Sequence, residues 1–202
     1  MRFKFTDAEI KKILKNLTII IDGREQKADG YRKWFDKNNV SYIDEKKMTE
    51  MRKKGLFTLE CGDYSCMLPA GSIPGIERDI FFDKDIVIEK KGNIRELAGN
   101  LSDEKGARIK KEFAHINKYG TRVYIFMCDG LYHKHLEEGK EKYIGRWNKD
   151  TLKAQFKSLE SLYNTKIIPI AEEYVAEEIY QTLYHYVRHV LKREFYLEKF
   201  LK

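Results

Sequence analysis

The chain has 202 residues, of which 42% are hydrophobic and 35% charged, and 39 Lys and Arg against 32 Asp and Glu give a formal net charge of +7. No apolar run approaches the roughly 20 residues that span a bilayer, and charged residues follow residues 1–5, so neither a membrane protein nor a secretory signal is expected. Three cysteines are few and odd in number, which favours a reducing compartment and predicts a cytoplasmic protein.

The first part of the chain has the hydrophobic patterns of alternating helices and strands. Apolar residues at helical spacing indicate helices, and β-branched runs indicate buried strands. The predicted elements are a helix at residues 2–15, a strand at 17–21, a helix at 24–38, and strands at 55–60 and 64–68. The first strand ends at Asp22, and Gly62 and Asp63 form a bend between the last two.

The remaining chain continues this alternation after residues 69–84, where two of the three prolines and two glycines predict a long mobile loop. The expected elements are a strand at 85–91, a helical region at 94–119 that breaks near 99–106, a strand at 122–127, a helix at 148–163, a strand at 166–170, and a closing helix whose apolar face carries Val175, Ile179, Leu183, Val187 and Val190.

This pattern predicts an α/β protein whose sheet is covered by helices on both faces. There is no internal repeat and no low-complexity segment, and no glycine occurs after Gly145. We therefore expect the last quarter to be regular secondary structure rather than a linker with a second module. The predicted organisation is an N-terminal helical extension at 1–16 and a single domain at 17–202.

Four acidic residues occupy predicted strand ends or bends, where α/β sheets usually carry functional groups. They are Asp22, Glu25, Asp63 and Glu89. Side chains alternate along a strand, so Glu89 and Lys91 are expected on one face and Lys90 on the other. The strand at 85–91 is thus predicted to end with a carboxylate and an ammonium side by side.

Carboxylates grouped in this way can bind a divalent metal ion. Acids brought together repel, and one takes up a proton unless a cation neutralises them. Hard oxygen ligands that leave positions for water suit Mg²⁺ or Mn²⁺. A metal held there lowers the pKa of a bound water and stabilises charge on a phosphodiester. A lysine beside it can position that water or stabilise transition-state charge.

Three short motifs make this pattern more specific. They are IIDGRE at residues 20–25, LECGDY at 59–64 and VIEKK at 87–91, followed by Glu96 and Leu97. In this order they resemble the D-x-R-E strand tip, the G-D-Y turn and the E-R-K strand end of XPF-type excision-repair endonucleases, members of the PD-(D/E)xK nuclease superfamily. The resemblance extends over roughly residues 17–191, although only the three motifs are sharp.

The resemblance implies a restriction-endonuclease-like fold, with a mixed central sheet flanked by helices, and a DNA endonuclease that needs Mg²⁺ or Mn²⁺. Branched, flapped or forked DNA in repair, recombination or replication is the implied substrate. By this resemblance Asp63 and Glu89 are the central metal ligands, Asp22 and Glu25 complete or support the metal shell, and Lys91 is the catalytic lysine.

Basic residues are expected to flank this site as phosphate contacts. One cluster runs through Lys46, Lys47, Arg52, Lys53 and Lys54, and a second through Lys105, Arg108, Lys110 and Lys111. The predicted nucleic-acid contacts are Arg24, Lys90, Arg108 and Lys111, with Arg108 the strongest candidate. Solvated helix faces remain an alternative for the first cluster.

Two positions depart from the family pattern. The family's central arginine is Lys90 here, which keeps the charge and loses the planar fork. Arg95 stands where the family often has an aspartate, so the role of that acid is lost or moved to Glu96. These departures leave a non-cleaving DNA-binding or partner subunit as the alternative function. A basic RNA-associated domain is a weaker alternative, because neither an RNP-like strand nor a GXXG loop occurs.

The chain is expected to contain fewer domains than many members of the family that it resembles. Helix-hairpin-helix modules need closely spaced glycines, which the sequence lacks after Gly145, and 202 residues leave no room for a helicase. We therefore expect a stand-alone nuclease domain of the compact sort common in phage and bacterial genomes. Relatives usually pair, so a homodimer through the last two helices is a candidate.

Other conspicuous residues are expected to be structural. His133 and His135 lack a Cys or Asp at ligand spacing, which predicts a surface turn rather than a metal site. Cys61 and Cys66 lack a second pair and are expected to pack against the sheet.

Overall fold

The computed structural model describes residues 5–23, 25, 28–43 and 59–193. The chain divides into two compact units, which we describe in turn. The first comprises Met1–Leu59, Tyr64–Asp83 and Ala176–Lys202, and the second comprises Glu60–Asp63 and Lys84–Val175.

The described helices and strands follow one another along the whole chain. In order they are α1 (Asp7–Leu14), β1 (Thr18–Ile21), α2 (Asp29–Lys37), β2 (Ser41–Ile43), β3 (Tyr64–Leu68), β4 (Ile80–Phe81), β5 (Ile86–Lys91), α3 (Ile94–Asn100), α4 (Asp103–Asn117), β6 (Arg122–Met127), α5 (Tyr132–Glu138), α6 (Glu141–Ile144), α7 (Lys149–Leu162), β7 (Thr165–Pro169), a 3₁₀ turn (Glu172–Tyr174) and α8 (Val175–Lys192).

The first unit contains both parallel and antiparallel strand pairs. β2 pairs with β1 in parallel, β3 pairs with β1 in the antiparallel sense, and β4 pairs antiparallel to β3. β1 and β3 are buried along their whole length. Their β-branched and apolar residues suit strands that are covered on both faces.

Helix α1 belongs to this first unit. Thr6 and Glu9 form a capping box in which each side chain accepts a hydrogen bond from the other residue's backbone N–H, and this starts the helix. Asp7 in its first turn pairs with Arg188 at 3.2 Å and with Lys192 at 2.8 Å, both on α8. The N-terminal helix is therefore joined to the closing helix by charge.

The second unit is built on three parallel strands. β5 pairs with β6, with Glu89 opposite Ile125, and β6 pairs with β7, with Ile125 opposite Ile167. Apolar side chains from the strands and from α3 to α7 form one buried cluster, which includes Val87, Ile94, Leu97, Phe113, Ile125, Met127, Leu136, Leu152 and Phe156. This packing fixes the carboxyl end of β5, where the acidic motif lies.

The predicted α/β class, with a mixed sheet flanked by helices, is confirmed. β6 covers the predicted residues, β3 and α7 agree within one residue at each end, and the expected break in the helical region separates α3 from α4. The apolar face of α8 is buried as expected, and Cys61 and Cys66 are buried free thiols. No helix in the described residues is both long and apolar enough to cross a membrane.

Some predicted boundaries were wrong. The helix expected at 24–38 begins only at Asp29, because the chain first turns so that the Glu25 N–H donates to the Asp22 carbonyl oxygen at 3.0 Å. Of the strand expected at 55–60, residues 55–58 lie outside the described residues, and Leu59 and Glu60 are not in a strand. The loop expected at 69–84 contains the short strand β4.

Two glycines near the α3–α4 junction give a matched test of this packing. A Cβ at Gly106 would clash with the Leu101 carbonyl oxygen and lie 2.8 Å from its carbon, whereas a Cβ at Gly99 meets nothing within 4 Å. We expect Gly106→Ala to lower the free energy of unfolding in urea by about 1–3 kcal/mol. Gly99→Ala is expected to leave it unchanged or raise it by up to about 1 kcal/mol. Equal effects of the two substitutions would contradict this packing.

Candidate active site

Asp63 is held against strand β5 by two hydrogen bonds. Its backbone N–H donates to the Ile88 carbonyl oxygen at 2.8 Å, and its Oδ2 accepts from the Lys90 backbone N–H at 2.7 Å. The C=O of Ile88 and the N–H of Lys90 leave the strand on the same edge, on either side of Glu89. The Asp63 carboxylate is therefore fixed next to Glu89.

Glu89 and Lys91 lie on one face of β5, as the strand alternation predicts. The Lys91 Nζ donates to Glu89 Oε1 at 2.5 Å, and the side chains are 9% and 19% exposed, respectively. Such a charge-assisted contact is strong because water screens it weakly. The end of β5 thus carries a fixed carboxylate–ammonium pair.

The electrostatic environment keeps Lys91 positively charged. Burial alone would lower the pKa of its ammonium, but the carboxylates of Glu89, Asp63 and Glu96 outweigh burial and raise that pKa above its usual value. Burial, together with the negative charge of Glu89, Glu112 and Asp63, raises the pKa of the Cys61 thiol to about 12. The site is therefore rich in negative charge, and Cys61 is a protonated thiol at neutral pH.

Helix α3 begins directly after β5 and brings a further acid to this lysine. The Glu96 Oε2 accepts from the Gly92 N–H at 2.8 Å, and its Oε1 lies 3.7 Å from the Lys91 Nζ. The Asn93 side chain caps the helix by accepting from the Glu96 N–H at 3.0 Å. An acid in this helix therefore does lie beside Lys91, although Arg95 occupies the position where the resemblance places one.

Gly62 makes the close approach of Asp63 to β5 possible. Its φ is +81°, and a Cβ there would lie 2.9 Å from the Val87 Cβ and 3.2 Å from the Ile88 oxygen. Gly71 has a similar φ of +75° with nothing within 4 Å of a Cβ. The two positions thus share the same backbone conformation and differ in the space available.

We expect Gly62→Ala to destabilise the protein more than Gly71→Ala, because it adds a steric clash to the roughly 1–2 kcal/mol cost of the left-handed conformation. Urea unfolding of both variants measures this difference. Any DNA cleavage activity should fall in Gly62→Ala, which moves Asp63, and persist in Gly71→Ala. Equal stability of the two variants would show that the close approach is unimportant.

The other predicted acids lie in the first unit. Asp22 follows β1 and is 1% exposed, and its carbonyl oxygen accepts from the Glu25 N–H. Their assignment to the metal remains a prediction that rests on the resemblance.

The predicted basic contacts differ in exposure. Lys90 is buried at 9% exposure, on the opposite face of β5 from Glu89 and Lys91. The Arg108 side chain is 78% exposed and pairs with Glu112 at 3.0 Å, and Lys111 is exposed on the same helix. Arg24 and the cluster at Lys46–Lys54 lie outside the described residues. The role of each in nucleic-acid binding stays a prediction.

A divalent metal has suitable donors at the end of β5. In the part of the chain that the structure describes, no three His, Cys, Asp or Glu side chains converge as a metal cluster. Mg²⁺, however, is usually bound through one or two carboxylates together with several waters. Asp63, whose carboxylate accepts from the Lys90 N–H, and Glu89, which lies on the strand itself, provide that number of oxygen donors.

One polar cluster was not anticipated from the sequence. Residues His133 and His135 lie in helix α5, not in a surface turn. The His135 Nδ1 is 2.8 Å from Asp129 Oδ2, and its ring stacks on Tyr143 at 3.7 Å between centroids. An aspartate six residues before a histidine, just after a buried strand, was the available signal. This cluster ties α5 and α6 to the segment after β6.

Comparison with known proteins shows the fold to which this site belongs. The structure is similar to XPF from Aeropyrum pernix, with a TM-score of 0.54 and 16% sequence identity, over 86% of this chain and 66% of that chain. No protein-family model and no curated protein matches the sequence. The fold of the chain is therefore similar to that of XPF, as the resemblance predicted. The chain spans about two thirds of the length of that protein.

Proposed function

We propose that the chain is a metal-dependent endodeoxyribonuclease that hydrolyses phosphodiesters in branched, flapped or forked DNA. The observation that carries the proposal is the grouping on β5, where Asp63 is fixed beside Glu89 and Lys91 contacts Glu89. An XPF-like fold supports the same conclusion. DNA repair, recombination or replication is the corresponding cellular process.

Each acidic or basic residue at the end of β5 has a separate role in the proposed reaction. Asp63 and Glu89 would hold a Mg²⁺ or Mn²⁺ ion, which when bound lowers the pKa of a water and stabilises charge on the phosphate. The Lys91 ammonium stabilises the charge that develops on the attacked phosphate oxygens and orients the attacking water. Glu96, 3.7 Å from Lys91, helps to orient that ammonium.

The proposal extends to residues that the resemblance alone assigns. Asp22 and Glu25 complete or support the metal shell. Arg24, Arg108 and Lys111 contact DNA phosphates, whereas Lys90, which is buried on the opposite face of β5, is not assigned such a contact. Exposed ion pairs contribute little to stability, so the pair between Arg108 and Glu112 does not oppose such a contact.

A non-cleaving partner subunit on the same fold is the second candidate. Arg95 and Lys90, which replace the residues usual in the family, favour it. An inactive subunit has little reason to retain Asp63, Glu89 and Lys91 together, so we rank it below the nuclease.

The test is a panel of labelled fork, flap, nicked and four-way-junction DNAs, each incubated with the protein and Mg²⁺, Mn²⁺ or EDTA. We expect cleavage of at least one branched substrate with metal and none with EDTA. Binding to the panel should weaken steeply as salt rises, because counterions are released from the phosphates. Tight, salt-sensitive binding without cleavage under either metal would favour the partner subunit.

A further inference from the structure

A cavity of about 580 Å³ lies in the second unit, beside the helix that follows the active-site strand. α3 contributes Arg95 and Gly99 to its wall, and the segment between α6 and α7 contributes Arg146 and Trp147. This cavity contains neither the predicted metal ligands nor Lys91, so the proposed chemistry does not account for it.

Trp147 is held in one orientation at the wall of this cavity. Its indole Nε1–H donates to the Ala98 carbonyl oxygen at 2.9 Å and to the Ser102 Oγ at 3.1 Å. The residue is only partly buried, and no other ring of the described residues contacts it. Its polar edge is thus satisfied within the protein. Part of the ring packs against the buried cluster of the second unit, and the rest lines the cavity, where a planar ligand can contact it.

Two guanidinium groups flank this tryptophan. Arg95 and Arg146 are exposed, and neither forms an ion pair with a carboxylate of the described residues, in contrast to the paired Arg108. Gly145, with a φ of +64°, makes the turn that precedes Arg146 and Trp147. Uncompensated guanidinium groups are suited to phosphate, which they can contact with two parallel hydrogen bonds.

Arg95 also lines a second cavity, of about 470 Å³, which reaches Gly92 and Cys128. Gly92 immediately follows Lys91, and the Cys128 N–H donates to the Lys91 carbonyl oxygen at 2.8 Å. Lys142 adds another positive charge to this wall. The wall of this second cavity therefore carries the positive charges of Arg95 and Lys142, together with the Asp129 that pairs with His135.

We propose that the larger cavity binds a nucleotide of an unpaired DNA strand, with its base stacked on Trp147 and its phosphates contacted by Arg95 and Arg146. Stacking on a fixed aromatic ring needs an exposed base face, which bases inside a duplex do not offer. The cavity therefore selects the single-stranded arm of a branched substrate. This inference rests on the proposed function and names what distinguishes its substrate.

Gly99 lines the cavity, so a larger side chain at this position enters it. A Cβ there meets nothing within 4 Å, and leucine favours a helix more than glycine does. We expect Gly99→Leu to weaken binding of a labelled oligothymidine in EDTA about tenfold, by fluorescence anisotropy. Gly30→Leu, in helix α2 with equal space around its Cβ, is the matched control and should bind as the wild type does. Unchanged binding by Gly99→Leu would overturn the proposal.

The contacts of the two arginines can be tested through the salt dependence of binding. The Arg95→Ala/Arg146→Ala double variant should bind at least tenfold more weakly, with the slope of log affinity against log salt reduced by about 1.4, the value for two single-strand phosphate contacts. The Lys118→Ala/Lys166→Ala variant also removes two positive charges, but near the amino ends of β6 and β7. It should bind the oligothymidine as the wild type does. An equal loss of affinity in both variants would mean that the two arginines contribute only general electrostatic attraction, and it would contradict a specific site.

Base stacking can be observed directly. Trp34 and Trp147 are the two tryptophans of the chain, so Trp34→Phe leaves Trp147 as the sole indole fluorophore. We expect the oligothymidine to quench its emission, and blunt duplex DNA of equal length to quench it less. Emission unchanged by the oligothymidine would refute stacking. Because these measurements use EDTA, a failure to cleave DNA would refute the nuclease proposal and leave this one standing, and the reverse also holds.

Discussion

Glu89→Gln is expected to lower the single-turnover rate of flap cleavage at least a hundredfold, equivalent to about 2.7 kcal/mol of transition-state stabilisation. Glutamine keeps the shape of the side chain and can still accept a hydrogen bond from Lys91. It removes the negative charge that a divalent metal needs, so the loss should fall on cleavage rather than on folding. Labelled flapped DNA with excess enzyme and Mn²⁺ measures the rate.

The matched control is Glu173→Gln, which makes the same change at an exposed acid of the 3₁₀ turn. It should cleave as the wild type does. DNA binding by Glu89→Gln should remain within a few-fold of the wild type, because phosphate contacts come from basic residues. Wild-type cleavage by Glu89→Gln would remove Glu89 from the site.

Lys91→Met has the second large expected effect, a loss of about 10²–10³-fold in the cleavage rate. Methionine retains most of the side-chain volume in this 9% exposed position and removes the ammonium. The Glu89 carboxylate then loses the partner that lies 2.5 Å away, so stability should also fall, by about 1–3 kcal/mol. Cleavage rate and urea unfolding are both measured.

A double variant separates the two roles of this lysine. Glu89→Gln/Lys91→Met removes the unpaired charge, so it should recover part of the stability that Lys91→Met loses. Cleavage should not return. Recovery of cleavage together with stability would remove both Glu89 and Lys91 from the chemistry and leave them only a structural pair.

The alternation of side chains along a strand was enough to predict the centre of the candidate site. Ile86, Val87 and Ile88 form an unmistakable apolar run, so the register of β5 follows, and with it the shared face of Glu89 and Lys91. The docking of Asp63 on β5 could not be derived from periodicity. It depends on a left-handed glycine and on two hydrogen bonds to the β5 backbone, one from the Asp63 N–H and one to its Oδ2, across 25 and 27 positions of sequence.

Short strands and helices that are stabilised mainly by their neighbours could not be predicted from the sequence, for a related reason. β2 has three residues and β4 has two, too few for a periodic pattern, and each is defined by pairing with β1 or β3. Helix α5 has seven residues and a single buried one, Leu136. Its sequence signal is weak because so short a helix with one buried residue shows no clear period, and the contact between His135 and Asp129 is a tertiary one.

The cavity that we propose to bind a nucleotide could not be predicted from the sequence either. Arg95 and Trp147 are 52 positions apart, and only the packing of α3 against the segment after α6 brings them to one wall. What the sequence does contain is the departure at Arg95, where the resemblance expects an acid. In the structure Glu96 lies near Lys91, and Arg95 lines the two neighbouring cavities.

The central claim is that Asp63 and Glu89 together support metal-dependent cleavage of branched DNA. Its most direct test is single-turnover cleavage of one flapped substrate by the wild type and by Asp63→Asn/Glu89→Gln, each with Mn²⁺ and with EDTA. We predict that the wild type cleaves with Mn²⁺ and not with EDTA, and that the double variant cleaves with neither, although urea unfolding shows both proteins to be folded under the assay conditions. Equal cleavage by the two proteins, or wild-type cleavage that persists in EDTA, would contradict the claim.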